Sequence, residues 1–530
     1  MCIYLSIYLS IYLSIYLSIY LSIYLSIYLS IYLSVFSLLI CELYQLSRPD
    51  LFRGEAFIDG KWVQNGKTFP VYEPSTGEVL GDVASMSRSD FVTGIKSADV
   101  GFREYSSTTT AHYRAALLKK WYDLIISNKD DIATILVLEN GKTFSEAVGE
   151  VVYAASFVSW FAEEATRAYG DVIPSSMPNT TVFTLKQPVG VCGIITPWNF
   201  PAAMITRKIA PALAVGCSVV IKPPSETPYT AAALVKLAIE AGIPPRVIQL
   251  IPTKDRDAAT ELCTNPIVKK ISFTGSTKVG IFLSKLAMGT MKKVSMELGG
   301  NAPFIVFDDA DIDLAVQAAM VCKFRCSGQT CVCANRILVH KKLLPEFTKK
   351  LIAEVSKLKV GFGLDKTTTQ GPLVNRGGVD KVNQHIEDAV SKGAKLELGG
   401  IIPKDVNQNG FFIAPTILTG VTKDMLVAND ETFGPLAPVF GFDSEDEAVS
   451  LANDTEFGLA GYFFSKDVNR ILRVASRLEC GLVGVNTGKI SAAESPFGGV
   501  KESGVGREGS KYGLAEYYII KAVTIGNTNA

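Results

Sequence analysis

Between Gly190 and Leu298 short β-branched runs alternate with stretches whose apolar residues recur at helical spacing. The runs Gly190–Thr196, Ser218–Lys222, Val247–Ile251 and Lys270–Phe273 read as buried strands. Between two of them, Thr230–Ala241 reads as an apolar helix stopped by Gly242 and Pro244, a glycine cap followed by a proline. This alternation predicts a doubly wound α/β sheet. A second α/β unit begins near Asn301, with a strand at Phe304–Phe307, a helix at Ile312–Lys323, a glycine-containing loop and a strand at Arg336–His340. Gly275-Ser276-Thr277-Lys278-Val279-Gly280 follows a strand and opens a helix, so backbone N–H groups and the helix dipole can face a pyrophosphate. Its two glycines are not the usual dinucleotide fingerprint, and alone they say little.

The first part of the chain has a different pattern. From Ile3 to Ser34 the tetrapeptide Ile-Tyr-Leu-Ser recurs eight times, and no charged residue precedes Glu42. Length and apolarity permit a membrane span. A secretory signal, however, needs a basic start and a cleavage site, and a mitochondrial presequence needs arginines; the first arginine is Arg48. Residues 1–45 therefore read as a low-complexity segment outside the enzyme body, not as an anchor or a presequence. Uninterrupted by charge or proline, the segment is also an aggregation hazard.

Composition narrows the classes. A chain of 530 residues can hold two or three domains without disulfide or metal staples. Lys plus Arg and Asp plus Glu balance at 52 each, which argues against a broad nucleic-acid surface and for a small-molecule substrate. Ten scattered cysteines read as reduced thiols, and three isolated histidines form no ligand motif, so no metal site is expected.

The chemistry concentrates around Cys331. It lies in Lys323-Phe324-Arg325-Cys326-Ser327-Gly328-Gln329-Thr330-Cys331-Val332-Cys333, a loop between a helical stretch and a strand, which suits a nucleophilic thiolate. Upstream, Glu297 in Met296-Glu297-Leu298-Gly299-Gly300-Asn301 is a carboxylate at a strand end, followed by two glycines that permit close approach. The pair Glu-Leu-Gly-Gly and Gly-Gln-Thr-Cys resembles the aldehyde dehydrogenase superfamily. The resemblance extends from about Phe57 to Tyr518 through Thr196-Pro197-Trp198-Asn199-Phe200-Pro201, Phe273-Thr274-Gly275-Ser276 and Glu431-Thr432-Phe433-Gly434-Pro435.

The resemblance implies a Rossmann-type cofactor domain (46–169 and 189–299), an α/β catalytic domain (300–506) and a small β oligomerisation element (170–188 and 507–530) of a homodimer or homotetramer. By the same resemblance Cys331 is the nucleophile toward an aldehyde, Asn199 and the Cys331 N–H stabilise the alkoxide, and Glu297 is the general base that activates water against the thioester. Trp198, Gly275 and Ser276 line the cofactor cleft, Lys222 binds the adenosine ribose, and Glu431 and Phe433 hold the nicotinamide ribose and ring. Where NAD-specific members carry an acid three residues after that lysine, this chain has Ser225, with Glu226 one place later; NAD and NADP both stay open.

Arg207, Arg325 and Ser491 match the carboxylate clamp of the succinate-semialdehyde subfamily, and Pro496–Gly513 resembles it closely. Both arginines are expected at the tunnel mouth, forking onto a substrate carboxylate. Glutarate semialdehyde is the alternative substrate. The subfamily implies a mitochondrial setting, with the cytoplasm as the other option. It also implies a redox switch between Cys331 and Cys333, although alternate residues of an extended strand lie about 6–7 Å apart, at the edge of disulfide reach. A cysteine hydrolase or a catalytically inert scaffold would read the same Cys331 differently; isolated histidines oppose the first, and intact Cys331, Glu297 and Asn199 oppose the second.

Overall fold

A computed structural model describes residues 44–527. The Ile-Tyr-Leu-Ser repeat lies outside the described residues, with the anchor and presequence readings that rest on it. The chain opens with hairpins β1 (Ala56–Ile58)–β2 (Lys61–Val63) and β3 (Thr68–Tyr72)–β4 (Val79–Ala84), followed by helices α1 (Arg88–Thr108), α2 (Ala111–Ser127), α3 (Lys129–Asn140) and α4 (Phe144–Glu164). α4 starts with a capping box: the Glu146 N–H donates to the Thr143 hydroxyl, and the Glu146 carboxylate accepts the Thr143 N–H at 3.0 Å. Strands β5 (Val172–Ile173) and β6 (Thr180–Pro188) lead to the alternating core of β7 (Val191–Ile195), α5 (Ala203–Val215), β8 (Ser218–Lys222), α6 (Tyr229–Glu240), β9 (Ile248–Leu250), β10 (Val268–Thr274), α7 (Thr277–Met288) and β11 (Lys293–Glu297).

The second unit runs β12 (Ala302–Val306), α8 (Ile312–Ala319), β13 (Ala334–His340), α9 (Leu344–Val355), α10 (Arg376–Ser391), β14 (Lys395–Leu398), β15 (Thr416–Thr419), β16 (Leu436–Phe442), α11 (Glu445–Asn453), β17 (Phe457–Gly458), β18 (Ala460–Phe464), α12 (Val468–Arg477) and β19 (Leu482–Val485). The short strands β20 (Val500–Lys501) and β21 (Gly504–Val505) and the long β22 (Tyr518–Gly526) complete it. The expected helix at 312–323 is α-helical only to Ala319 and continues as a π-turn over Met320–Phe324.

One eight-stranded sheet has the order β2-β1-β9-β8-β7-β10-β11-β21, with β9 through β11 parallel. The direction of winding reverses between β7 and β10, and ligands of such sheets bind outside the carboxyl ends of the strands at that reversal. Trp198 and Asn199 follow β7, and Gly275 follows β10, so the sheet carries all three to one crevice. A seven-stranded sheet, β14-β15-β16-β13-β12-β18-β19, supports the second unit. β22 pairs antiparallel with β6 from Tyr518↔Pro188 to Gly526↔Thr180 in a separate three-stranded ribbon.

The first core packs α2, α4, α5 and α6 against the larger sheet, around the fully buried Trp121, whose Nε1–H donates to the Leu234 carbonyl at 3.1 Å. Every residue of α5 is buried, including Arg207 and Lys208. Its interior Pro211 is tolerated because packing on all sides outweighs the lost backbone bond.

β21 joins this core to the site, since Gly504 pairs with Glu297. Gly504 has φ 122°, and a Cβ there would stand 1.8 Å from the Met296 carbonyl oxygen. Gly504→Ala should cost about 1–3 kcal/mol through backbone displacement. Thermal unfolding of the variant should show a lowered midpoint with turnover falling alongside it; an unchanged midpoint would contradict the packing described.

Candidate active site

An irregular helix end presents Cys331. After the π-turn, Cys326, Ser327 and Gly328 all take left-handed backbone conformations, with φ of 51°, 54° and 72°. For non-glycine residues such conformations cost on the order of 1–3 kcal/mol each, so the turn has to be held. The Cys326 N–H donates to the Glu146 carboxylate at 2.7 Å, the Ser327 hydroxyl donates to the Gly371 carbonyl at 2.7 Å, and Gln329 Oε1 accepts the Val374 N–H at 2.9 Å. Beyond the cysteine, the Tyr462 hydroxyl donates to the Val332 carbonyl at 2.7 Å. Cys331 is partly exposed; burial pushes its thiol up to about 12, against the pull of Arg207, so the resting sulfur carries its proton and needs a base.

The two halves of the paired signature meet directly. A Cβ at Gly300 would lie 2.4 Å from the Cys331 carbonyl oxygen, so only glycine lets the strand end and the nucleophile loop touch. Glu297 ends β11 with both carboxylate oxygens buried and unbonded by the described residues. Desolvation, with the negative Glu508 nearby, raises it well above the usual carboxylate range, while Arg207 and Lys208 oppose the shift. A carboxyl so placed is a proton acceptor that ionises late.

Asn199 is fixed from behind. The Lys142 ammonium donates to the Asn199 carbonyl at 2.8 Å and pairs with Glu150 at 2.5 Å, while Asn140 Nδ2 donates to the Trp198 carbonyl at 2.9 Å. Asn199 Nδ2 donates to the Gln329 carbonyl at 3.0 Å, which brings the amide beside the cysteine loop with its second N–H uncommitted.

A dinucleotide fits the crevice on the donors present. Ser276 caps α7 without a side-chain bond, leaving first-turn N–H groups for an anion, and the Gly275 N–H donates to the Glu297 carbonyl at 3.0 Å, tying that turn to the base. Glu431 Oε1 accepts the Gly300 N–H at 3.1 Å, and burial raises its carboxyl to about 7. Phe433 stands at φ 57° with its ring edge-on to Trp198, 5.4 Å between centroids. At the far end the Ser225 hydroxyl bonds Glu226 at 3.3 Å, and desolvation lowers the Lys222 ammonium against the pull of Glu226.

The expected clamp divides. Arg325 is exposed and shares a cavity of about 60 Å³ with Ser491, Thr330, Val332 and Tyr462. Arg207 does not line that cavity: it is 1% exposed, its Nε lies 2.5 Å from Glu508, and its guanidinium stacks over Phe497 at 4.1 Å. Its Nε is committed to that carboxylate, while its charge acts on the nearby Cys331 thiol. Cys331 and Cys333 are both free thiols, and Cys333 Sγ points to the Lys323 carbonyl at 3.5 Å.

Reasoning from sequence missed Glu508 and Lys208, a buried ion pair beneath Glu297, with burial opposed by Lys208 and Arg207 in keeping Glu508 below the usual range. The signal was present: Arg207-Lys208 inside an otherwise apolar helix requires a buried acid. The Lys142–Glu150 pair gave no comparable signal, because a lysine in the link between α3 and α4 and a glutamate in α4 are each ordinary there.

The chain matches the Aldehyde dehydrogenase family over residues 62–523. It belongs to that family. Among similar aldehyde dehydrogenases, "Succinate-semialdehyde dehydrogenase [NADP(+)] 1" of Schizosaccharomyces pombe is 52% identical over 494 residues, 92% of this chain and 99% of the relative. "Glutarate-semialdehyde dehydrogenase" of Pseudomonas putida is 52% identical over 483 residues, 91% of this chain and 99% of the relative. The crystal structure of succinate-semialdehyde dehydrogenase from Burkholderia pseudomallei superposes with a TM-score of 0.89 at 51% identity, covering 91% of this chain and 99% of that one. The expected aldehyde dehydrogenase fold is therefore the observed one, and the chain is an oxidoreductase of this family.

Two variants test the geometry. Cys331→Ala should abolish aldehyde oxidation while dinucleotide binding, followed by fluorescence, stays intact; substantial turnover would remove Cys331 from the centre. Because Glu297 is raised, its basic form grows with pH, so turnover should climb from neutral into alkaline solution. Glu297→Gln should flatten that rise and slow turnover by about 100-fold or more, and a retained alkaline limb would reassign the base.

Proposed function

We propose that this aldehyde dehydrogenase oxidises succinate semialdehyde to succinate with NAD or NADP. The observation that carries the reading is the cavity beside the nucleophile loop where Arg325 and Ser491 meet. A guanidinium and a hydroxyl there suit the far carboxylate of a semialdehyde, whose aldehyde end is then directed at Cys331.

The residues perform the reaction in two halves. Cys331 Sγ loses its proton toward Glu297 and adds to the carbonyl carbon, and the alkoxide of the thiohemiacetal is held by Asn199 Nδ2 and the Cys331 N–H. Trp198, Glu431 and Phe433 would hold the dinucleotide, which would supply the hydride acceptor for that carbon. Glu297 gives up the first proton to solvent and then takes one from water as the water oxygen adds to the thioester carbon. The carbon–sulfur bond breaks, the acid leaves, and the thiolate of Cys331 regains a proton from Glu297. Glu508 with Lys208 and Arg207 keeps a fixed field behind Glu297 through these proton transfers.

Glutarate semialdehyde is the second reading, favoured by the Pseudomonas putida relative and by the same terminal carboxylate. One added methylene changes transfer energy by only about 0.8 kcal/mol, so one clamp serves both chain lengths unless tunnel depth discriminates. We also propose that the β22–β6 ribbon, with Leu185, Ile519 and Ile520 exposed, joins subunits into a homo-oligomer. Among the described residues no helix is long and apolar enough to cross a membrane. We place the reaction in the mitochondrion or cytoplasm, where thiols stay reduced.

Arg325→Ala should raise KM for succinate semialdehyde by the loss of about 1.5–3 kcal/mol, with little change for an uncharged aliphatic aldehyde; equal losses on both would make Arg325 structural. With Glu431 raised to about 7 and ionised above it, dinucleotide binding should tighten as pH rises through that value. Glu431→Gln should remove the dependence. Titrations at three pH values decide it.

A further inference from the structure

We infer that Glu146 and Glu150, one turn apart on α4, are with Lys142 the positioning residues that set the separation between the Asn199 amide and the Cys331 sulfur. The inference rests on the reading that Asn199 holds the alkoxide, and it concerns what holds that amide in place. Lys142 and Glu150 clasp the segment carrying Asn199 at both ends. The Lys142 ammonium donates to the Asn199 carbonyl at 2.8 Å and to Glu150 Oε2 at 2.5 Å, and Glu150 Oε1 accepts the Ala202 N–H at 2.9 Å, where α5 begins. The same ammonium lies 4.2 Å over the Phe200 ring, so it touches the segment between its two ends as well.

Glu146 does the corresponding work for the nucleophile loop. Its Oε1 accepts the Cys326 N–H at 2.7 Å, at the first left-handed residue of the turn, while its Oε2 accepts the Thr143 N–H at 3.0 Å and the Thr143 hydroxyl at 2.9 Å. Both oxygens are committed, so the carboxylate cannot swing without releasing either the cap of α4 or the turn. Residues four apart on a helix share a face, with Cβ atoms about 5–6 Å from each other. One rigid helical turn therefore stands between the support of the alkoxide donor and the support of the sulfur. The link into α4 is gripped in its turn: the Phe144 N–H donates to the Gly363 carbonyl at 2.8 Å, and a Cβ on Gly371 would lie 1.9 Å from the Gly141 carbonyl oxygen.

Stability does not account for the buried pair. The side chains of Lys142 and Glu150 are each 1% exposed, and apolar side chains of similar volume often replace such a pair with no loss of stability. What apolar side chains cannot supply is a donor for the Asn199 carbonyl and an acceptor for the Ala202 N–H at one fixed spacing. Asn199 leads from the cofactor sheet and Cys331 from the second unit, and α4 bonds to both. A donor aimed from one unit at an oxygen that forms on the other needs a common ruler, since a misplacement of about 1 Å costs on the order of 100-fold in rate.

The test uses the full chain and reads the single-turnover rate of dinucleotide reduction by succinate semialdehyde, KM, and alkylation of Cys331 by iodoacetamide, which needs the sulfur but no alkoxide donor. Asn199→Ala is the reference and should slow single turnover about 100-fold; an unchanged rate there would overturn the alkoxide reading and this inference together. The double variant Lys142→Met/Glu150→Gln removes both charges at once and should slow single turnover by a similar factor, with KM and alkylation little changed. If Asn199→Ala is slow and the double variant is not, or if alkylation slows equally, the positioning role is overturned and the alkoxide reading stands. Glu146→Gln keeps the length of the arm but only one acceptor oxygen, and should slow single turnover about tenfold at an unmoved KM. Added to the double variant it should slow the reaction little further, because either change already frees the spacing. Losses that multiply would show two independent supports and overturn the shared ruler. Should the double variant not fold, Glu146→Gln decides alone: a slowed turnover at constant KM supports the inference, and an unchanged one overturns it.

Discussion

The site depends on a carboxylate that is not itself a reactant. Glu508 arrives from the segment just before β22 and is buried between Arg207 and Lys208 of α5, beneath Glu297. Buried charges survive only when paired, and here two cations share one acid, leaving the cluster one positive charge in excess. That excess offsets part of the desolvation of Glu297 and draws down the thiol of Cys331. Remove the acid and two cations stand unpaired in the core; remove the cations and Glu508 repels the base.

The rest of the centre is built by close approach. Gly300 admits the Cys331 peptide, Gly504 admits the Met296 carbonyl, and the left-handed turn at Cys326–Gly328 is pinned by Glu146, Gly371 and Gln329. None of these contacts is large, yet each replaces a side chain or a relaxed turn by a backbone atom at a fixed place. The backbone strain is concentrated where the nucleophile needs a direction, as expected where surrounding bonds over-determine a turn.

Much of this architecture was legible in the chain. β-branched runs located β7, β8, β9 and β10 to within two residues, because parallel strands buried on both faces read as continuous apolar runs. Cys331, Glu297 and Asn199 were legible through their motifs, and the structure gathers their segments into one crevice. The ion pair of Arg207 with Glu508 was not. Spacing along the chain gives the residue type beside a site but not which of two neighbours will claim its charge, and Glu508 lies far away in sequence. The Asn199 supports, Lys142 and Glu150, were hidden for the same reason: their pairing is tertiary, and each alone resembles a solvated residue. The turn before Cys331 read only as a loop, since left-handed conformations at Cys326 and Ser327 go against local preference.

β22 has a reach beyond its own ribbon. Its backbone is locked to β6 along nine residue pairs, and the short stretch that precedes it carries Glu508, Ser510 and Tyr517 into the core. The Tyr517 carbonyl accepts the Cys217 thiol at 3.2 Å, and Glu516 receives the Ser295 hydroxyl at 2.8 Å on the strand that ends in Glu297. The tail therefore works as a tether whose one end is a surface strand and whose other end places Glu508 beside the base. One continuous stretch of chain thus links the surface ribbon to the acid that neighbours the catalytic carboxyl.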